Sequence, residues 1–475
     1  RMAFEGGDFT RIEELPYKII PGEIGKYYNN IFIERAIVGE RLRATIGLPI
    51  RKVSEHAPLS DGIDASAIDE KYYDPPLINI IKFACHACPE KKIFVTNGCQ
   101  GCIEHPCVEV CPKKANHMEN GHSVIDQDKC IKCGKCLNAC PYNAIIKQER
   151  PCAAACGMNA IGSDEYGRAE IDQNKCVSCG QCLVSCPFSA IVDKGQIFQT
   201  IMAIKSETPV YAILAPAIAG QFQDMKNTKI RGAFQALGFT DVREVAIGAD
   251  LCTVEEAKDF LEEVPEKLPF MATSCCPSWS MMAKKLFPEQ AKCISMALTP
   301  MVLTARLIKQ KEPDCKIVFI GPCTAKKMEF QKETVHPYID CVITFEELQA
   351  LFDSKDIDIT TLDEDVLDNA SYYGRIFARS GGLSDAVAQA LKEQGIDNFD
   401  LKAVACDGIE ACRMALLKAS KRVLDGNFIE GMACMGGCIG GAGCLTHGEK
   451  NKAEVDKYGK QALEKTITDA ISVLK

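Results

Sequence analysis

The run Cys130-x2-Cys133-x2-Cys136-x3-Cys140-Pro141, repeated as Cys176-x2-Cys179-x2-Cys182-x3-Cys186-Pro187, constrains this chain more than any other feature. In such a run three thiolates wrap one iron-sulfur cube and the fourth cysteine crosses to a neighbouring cube. A structural zinc ion needs four ligands and has no use for the Cys-Pro crossover, so the spacing selects [4Fe-4S] clusters. Gly134 and Gly180, in the turn after each first cysteine pair, let backbone amides approach the cluster sulfurs, which tunes potential. Sixteen of the 28 cysteines fall between Cys85 and Cys186. The chain thus has a metal-rich front and a conventional globular back.

Each run needs a partner for its crossing cysteine. Upstream, Cys99-x2-Cys102-x4-Cys107-x3-Cys111-Pro112 is a variant run, and exchanging Cys111 with Cys140 gives two cubes: Cys99, Cys102, Cys107, Cys140 and Cys130, Cys133, Cys136, Cys111. The other partner is split. Cys152-x3-Cys156-Gly-Met-Asn-Ala-Ile161 echoes Cys140-Pro-Tyr-Asn-Ala-Ile145 but lacks the preceding pair, which Cys85-x2-Cys88 can supply. The resulting sets are Cys176, Cys179, Cys182, Cys156 and Cys85, Cys88, Cys152, Cys186, an arrangement that resembles the interleaved four-cluster electron-transfer subunits of molybdenum oxidoreductases. Cys85 and Cys88 could instead form a small zinc clip.

With 55 basic and 64 acidic residues the net charge is -9, which argues against a nucleic-acid or anionic-membrane partner. The uncharged stretches are broken by proline or filled with Gly and Cys, so no membrane span is expected. No secretory signal is visible, and a reducing, cytoplasmic setting is expected. Residues 1–78 read as an arm or cap, 79–206 as a ferredoxin-like α+β domain with up to four cubes, and 207–475 as the domain where chemistry lies. There the runs 210–215, 242–247, 270–273, 316–320, 342–344 and 402–405 suit buried strands. Helices are expected over 253–264, 278–287, 300–311, 383–393 and 409–424, with a final amphipathic helix from Lys452 to Leu474. Strands alternating with helices imply an α/β architecture, two-lobed, with parallel or mixed sheets flanked by helices.

Three cysteine motifs occupy this region: Thr273-Ser-Cys-Cys-Pro-Ser-Trp279, Gly321-Pro-Cys-Thr-Ala-Lys-Lys-Met-Glu329 and Glu430-Gly-Met-Ala-Cys-Met-Gly-Gly-Cys-Ile-Gly-Gly-Ala-Gly443. Each follows an apolar run, which places the thiols at strand ends, where α/β folds bind ligands. Soft thiolates there select iron-sulfur chemistry. The glycines around Cys438 suggest a bulky group lying against the backbone. In order, behind ferredoxin runs, the three closely resemble the signature motifs of the iron-only, or [FeFe], hydrogenases.

The resemblance implies an H-cluster, a cubane bridged by cysteine to a diiron subcluster with carbonyl, cyanide and dithiolate ligands. Cys276, Cys323, Cys434 and Cys438 would hold its cubane, with Cys438 as the bridge. Lys326 would hydrogen-bond a cyanide, and Cys275 matches the proton-delivering cysteine. Glu256 and Ser295 align with the outer proton relay, where Asp259 stands in place of the usual glutamate. Pro216, Ala217 and Met432 match residues that contact the diiron ligands. The implied activity is reversible reduction of protons to H2, with ferredoxin or another low-potential carrier as electron partner and maturation proteins supplying the diiron subcluster. A hydrogen sensor and a non-catalytic hydrogenase-like iron-sulfur protein are the alternatives. The chain departs from the family pattern at Gly321, where methionine is usual and a packing contact is expected to be lost, at Ser278 in place of glycine, and at Ala442 within the glycine run. Cys252, Cys293, Cys315, Cys341, Cys406, Cys412 and Cys444 read as core thiols, with Cys444 the one nearest a motif.

Overall fold

The computed structural model describes all residues except 69–74, 223–225, 366, 368–369, 397–399, 473 and 475. In the front half, β1 (Ile78–Ile80), β2 (Lys92–Val95), β3 (Asn116–Glu119), β4 (His122–Ile125), β5 (Ile145–Gln148), β6 (Ile161–Ser163), β7 (Ala169–Ile171) and β8 (Ile191–Asp193) form four antiparallel pairs, β1 with β8, β2 with β5, β3 with β4 and β6 with β7. The pairing is nested. One ferredoxin-like unit, β2 to β5, is inserted after β1 of a second unit made of β1, β6, β7 and β8. That insertion is why Cys85 and Cys88 stand so far in sequence from Cys152 and Cys156.

Of the described residues before β1, one helix packs on the second unit. Helix Ile31–Thr45 is started by Asn30, whose side chain accepts the amides of Phe32 and Ile33. From this helix Arg41 donates to the Ser189 carbonyl at 2.8 Å, and nearby His86 stacks on Phe188 at 4.0 Å.

The back half contains β9 (Val210–Leu214), β10 (Asp241–Glu244), β11 (Met271–Ala272), β12 (Lys316–Ile320), β13 (Cys341–Ile343), β14 (Ala403–Asp407) and β15 (Phe428–Met432). They build two wholly parallel sheets, in the orders β10-β9-β12-β13 and β11-β15-β14. Ile317, Val318, Phe319 and Ile320 on β12 are all buried, the near-continuous apolar run of a strand covered on both faces. The expected two-lobed α/β architecture is therefore present.

Two expectations are corrected. The run 242–247 is strand only to Glu244; from Ala246 it is the start of a helix that continues to Glu263, so the helix begins seven residues before the expected Thr253. The cause is close packing: a Cβ on Gly248 would collide with the Pro300 carbonyl, so the helix is buried from its first turn and reads as apolar as a strand. The final helix is two, Lys450–Lys460 and Ile467–Ser472. Glu393 accepts the amides of Ile467 (3.2 Å) and Thr468 (2.8 Å), capping a fresh N-terminus and breaking the run. Val473, within the expected helix, lies outside the described residues. Among the described residues no helix is long and apolar enough to cross a membrane.

Candidate active site

The parallel sheets aim their C-terminal ends at one place. Ala215, Pro216 and Ala217 follow β9, Pro322, Cys323 and Lys326 follow β12, Cys275 and Cys276 follow β11, and Met432 ends β15 ahead of Cys438. All of these line one cavity of about 90 Å³. This is where open α/β sheets bind ligands. Val245, Ala249, Pro300, Met301, Phe319 and Phe377 close the rest of the wall, so the cavity is apolar apart from the thiols and one ammonium.

Cys276 sits at the N-cap of helix Pro277–Leu286, with proline at its first turn, and its Sγ accepts the Ala433 amide at 3.5 Å. Burial pushes its thiol up, as it does those of Cys323, Cys434 and Cys438, and the backbone amides at the helix N-terminus work against that push. Cys323, Cys434 and Cys438 each interact electrostatically with Cys276, so the four expected ligands converge beside the cavity. Four soft thiolates against an apolar chamber fit a cubane with an attached apolar-walled group.

The Lys326 ammonium pairs with Glu329. Burial acts against its charge, but Glu329 and the neighbouring thiols Cys323 and Cys275 hold it above its usual value, so it stays cationic. Cys275 is a different case. Burial, followed by the nearby Glu256 carboxylate, pushes its thiol well up, so it carries a proton.

Behind it, Glu256 lies on the buried face of helix Ala246–Glu263. Oε1 accepts the Ser274 amide at 3.3 Å, Oε2 is buried without a partner among the described residues, and burial pushes the carboxyl up to about 8. Asp259, one turn on, is half-buried and adds to that upward push. Ser295 joins Glu256 indirectly: its Oγ accepts the Ala297 amide at 3.1 Å, and the Ala297 carbonyl accepts Ser274 Oγ at 2.9 Å. Ser274, given no role from sequence, is thus the link between them. Cys252 is a buried core thiol as expected, one helical turn before Glu256 and within electrostatic reach of Glu256 and Cys275. The other core thiols are buried as expected.

Two readings of the glycines change. A Cβ on Gly321 would fall 2.8 Å from Cε1 and Cζ of Phe319 and 3.0 Å from the Ala215 Cβ. The space is therefore filled by an aromatic ring, and the packing contact is replaced rather than lost. The glycines around Cys438 meet protein, not open space: a Cβ on Gly441 would strike the Pro322 carbonyl and one on Gly443 the Thr344 side chain. They permit close backbone approach between motifs.

In the front half three of the expected ligand sets are brought together in full, and of the fourth Cys99, Cys107 and Cys140 are linked through Ser123 and one packed cluster. Cys85, Cys88, Cys152 and Cys186 line one small cavity, and Cys156, Cys176, Cys179 and Cys182 another. Cys136 interacts with Cys130, Cys111 and Cys133. Ser123 bridges Cys99, which accepts its amide at 3.4 Å, and Cys107 at 3.6 Å from its hydroxyl, and Cys107 and Cys140 share one packed cluster. The backbone repeats as well. The second residue after Cys85, Cys99, Cys130 and Cys176, namely Ala87, Gly101, Lys132 and Ser178, is left-handed in every case. So is the third residue after Cys111, Cys140, Cys156 and Cys186, and the amides of Ala115, Ala144 and Ala160 reach back to the sulfurs of Cys111, Cys140 and Cys156. Cys85-x2-Cys88 and Cys156 share the geometry of the regular runs.

Comparison with known proteins agrees with this geometry. Residues 208–442 match the model of the iron only hydrogenase large subunit, C-terminal domain, and residues 123–146 and 168–191 match 4Fe-4S binding domains. Iron hydrogenase 1 of Clostridium pasteurianum is 29% identical over 70% of this chain, a match that spans 66% of that enzyme's length. The periplasmic [Fe] hydrogenase large subunit of Nitratidesulfovibrio vulgaris is 32% identical over 67% of this chain and 85% of its own. A shorter match, 30% identical over 29% of this chain and 28% of the relative, is to the cytosolic Fe-S cluster assembly factor NAR1 of Kluyveromyces lactis. The chain belongs to the iron-only hydrogenase family.

Proposed function

We propose that this protein is an iron-only hydrogenase that interconverts protons, electrons and H2. The observation that carries this reading is the cavity in which Cys275, a proton-bearing thiol, faces the same chamber as Lys326, Met432 and the thiols of Cys276, Cys323 and Cys438. The H-cluster, when bound, supplies the iron chemistry of H2 formation and cleavage. Cys276, Cys323, Cys434 and Cys438 hold its cubane, and Lys326, already cationic, hydrogen-bonds its anionic ligands. Pro216, Ala217 and Met432 shape the apolar wall that excludes water. Cys275 holds and transfers the proton at its Sγ. Glu256, with a carboxyl near 8, is poised to reprotonate it at neutral pH. Asp259 and Ser295 complete the path outward.

Electrons move through the front. Cys179 interacts with Cys276, and Cys182 with Cys152, which supports a chain of cubes from the catalytic domain (207–475) into the cluster domain (79–206), covered by the arm (1–78). At the far unit Cys133 is exposed, flanked by Ile131, Lys132 and Lys135 and near Lys129 in sequence. A cationic rim with an apolar centre suits ferredoxin or another acidic low-potential carrier. The four front cubes, the maturation proteins that supply the diiron group, and a cytoplasmic setting belong to this reading.

The deciding measurement is an infrared spectrum of anaerobic protein co-expressed with hydrogenase maturases. Metal-bound carbonyl and cyanide bands that shift under H2, with H2 evolution from a reduced carrier, are expected. Their absence from protein with its full cubane iron would leave an electron carrier or scaffold.

A further inference from the structure

The loop Cys176–Gln181 of one front cube is held by all three back-half motifs. Three consecutive carbonyls of this loop are each taken by a back-half side chain: Cys176 O by Lys285 Nζ at 2.8 Å, Val177 O by Ser278 Oγ at 2.9 Å and Ser178 O by Thr324 Oγ1 at 2.7 Å. Ser278 and Lys285 lie on one face of helix Pro277–Leu286, and Thr324 follows Cys323. The third motif adds the Gly440 carbonyl, which accepts Gln181 Nε2 at 3.2 Å, and Ala442, against which Gly180 packs without room for a Cβ. Ser278 and Ala442, two of the departures from the family pattern, both fall on this seam.

We infer that Ser278 and Thr324 are positioning residues that set the reduction potential of the cube held by Cys156, Cys176, Cys179 and Cys182. The inference rests on those four thiols holding a cubane. A trans peptide points its C=O and N–H in opposite directions. Ser278 fixes the Val177 carbonyl on one side, and the same peptide's N–H, that of Ser178, meets Cys176 Sγ at 3.4 Å on the other. Thr324 fixes the carbonyl of Ser178 itself, and so holds from its other end the residue whose N–H meets that sulfur. Val177 and Ser178 are buried, so no water can replace either hydroxyl freely. An N–H donated to a cluster sulfur stabilises the more negative, reduced cube and raises its potential. Cys179 is within electrostatic reach of Cys276 and the loop is hydrogen-bonded to the catalytic motifs, so this cube is the one set to exchange electrons with the catalytic cubane.

The test is a redox titration of the full chain with its cubanes loaded, followed by electron paramagnetic resonance. Ser278→Ala and Thr324→Val, on separate elements, should each move the same single front-cube midpoint to lower potential and leave the others in place, while Thr324→Ser stays at the wild-type value. Wild-type midpoints in both variants at full iron content, a shift to higher potential, or an equal shift in Thr324→Ser would overturn the inference. The titration needs no diiron subcluster, so its result stands apart from the infrared test of hydrogenase function.

Discussion

Glu256 and Ser274 are joined by a hydrogen bond from the Ser274 amide to Oε1 at 3.3 Å, which leaves Oε2 buried and without a partner among the described residues. On the proposed proton path this carboxyl holds the proton. Glu256→Gln keeps an acceptor for the amide but cannot shuttle a proton. H2 evolution should fall by about 10²–10⁴-fold, the range of a lost general acid-base group, with iron content and infrared bands unchanged.

Cys275 lines the cavity yet is none of the four converging ligands. Cys275→Ala is therefore expected to abolish turnover while the cluster spectra persist. Near wild-type evolution in this variant would take Cys275 out of the proton path.

Much of this site is legible in the sequence because its chemistry is local. The candidate ligand cysteines of the back half follow strand ends in short motifs, and the nested front repeats a backbone pattern that spacing alone encodes. The residues that were not legible act across the fold. Ser274 is an ordinary motif residue until Ala297 folds against it. The start of helix Ala246–Glu263 was hidden for a related reason: an element buried all round loses the periodicity that tells helix from strand.

The shared left-handed turn at Ala87 predicts that Cys85 and Cys88 bind a cubane and not zinc. Replacing both with serine should lower iron by about four atoms per chain, one cube's worth, and leave zinc content unchanged. Loss of one zinc with iron intact would establish the clip instead.

Asp250 ties helix Ala246–Glu263 to Ser371, accepting its amide at 2.8 Å and its hydroxyl at 2.5 Å, and burial pushes its carboxyl up to about 7. The folded state therefore holds this proton at pH values where the unfolded chain, near the ordinary 3.8, has released it. Its contribution to stability is complete below about pH 4 and declines as pH rises towards 7. At about 1.4 kcal/mol per pKa unit the decline is at most a few kcal/mol. Asp250→Asn can still accept the amide and donate to the hydroxyl, so thermal unfolding of this variant should show a shallower loss of stability between pH 5 and 8 than wild type.

Phe319 and Gly321 form a complementary pair at the cavity wall, since the ring lies 2.8 Å from where a Cβ at 321 would stand. The family's methionine cannot be restored at 321 alone. Gly321→Met should cost about 1–3 kcal/mol through overpacking, with the ring driven towards the cavity and the cofactor bands shifted. Phe319→Ala alone should destabilise through the void it leaves. Combined, the two changes exchange one side chain for the other in a shared space, so their effects should be strongly non-additive, with the double variant more stable than the sum of the single losses. A double-mutant cycle by denaturant unfolding measures this directly, and simple additivity would mean that the ring and the glycine do not share the space.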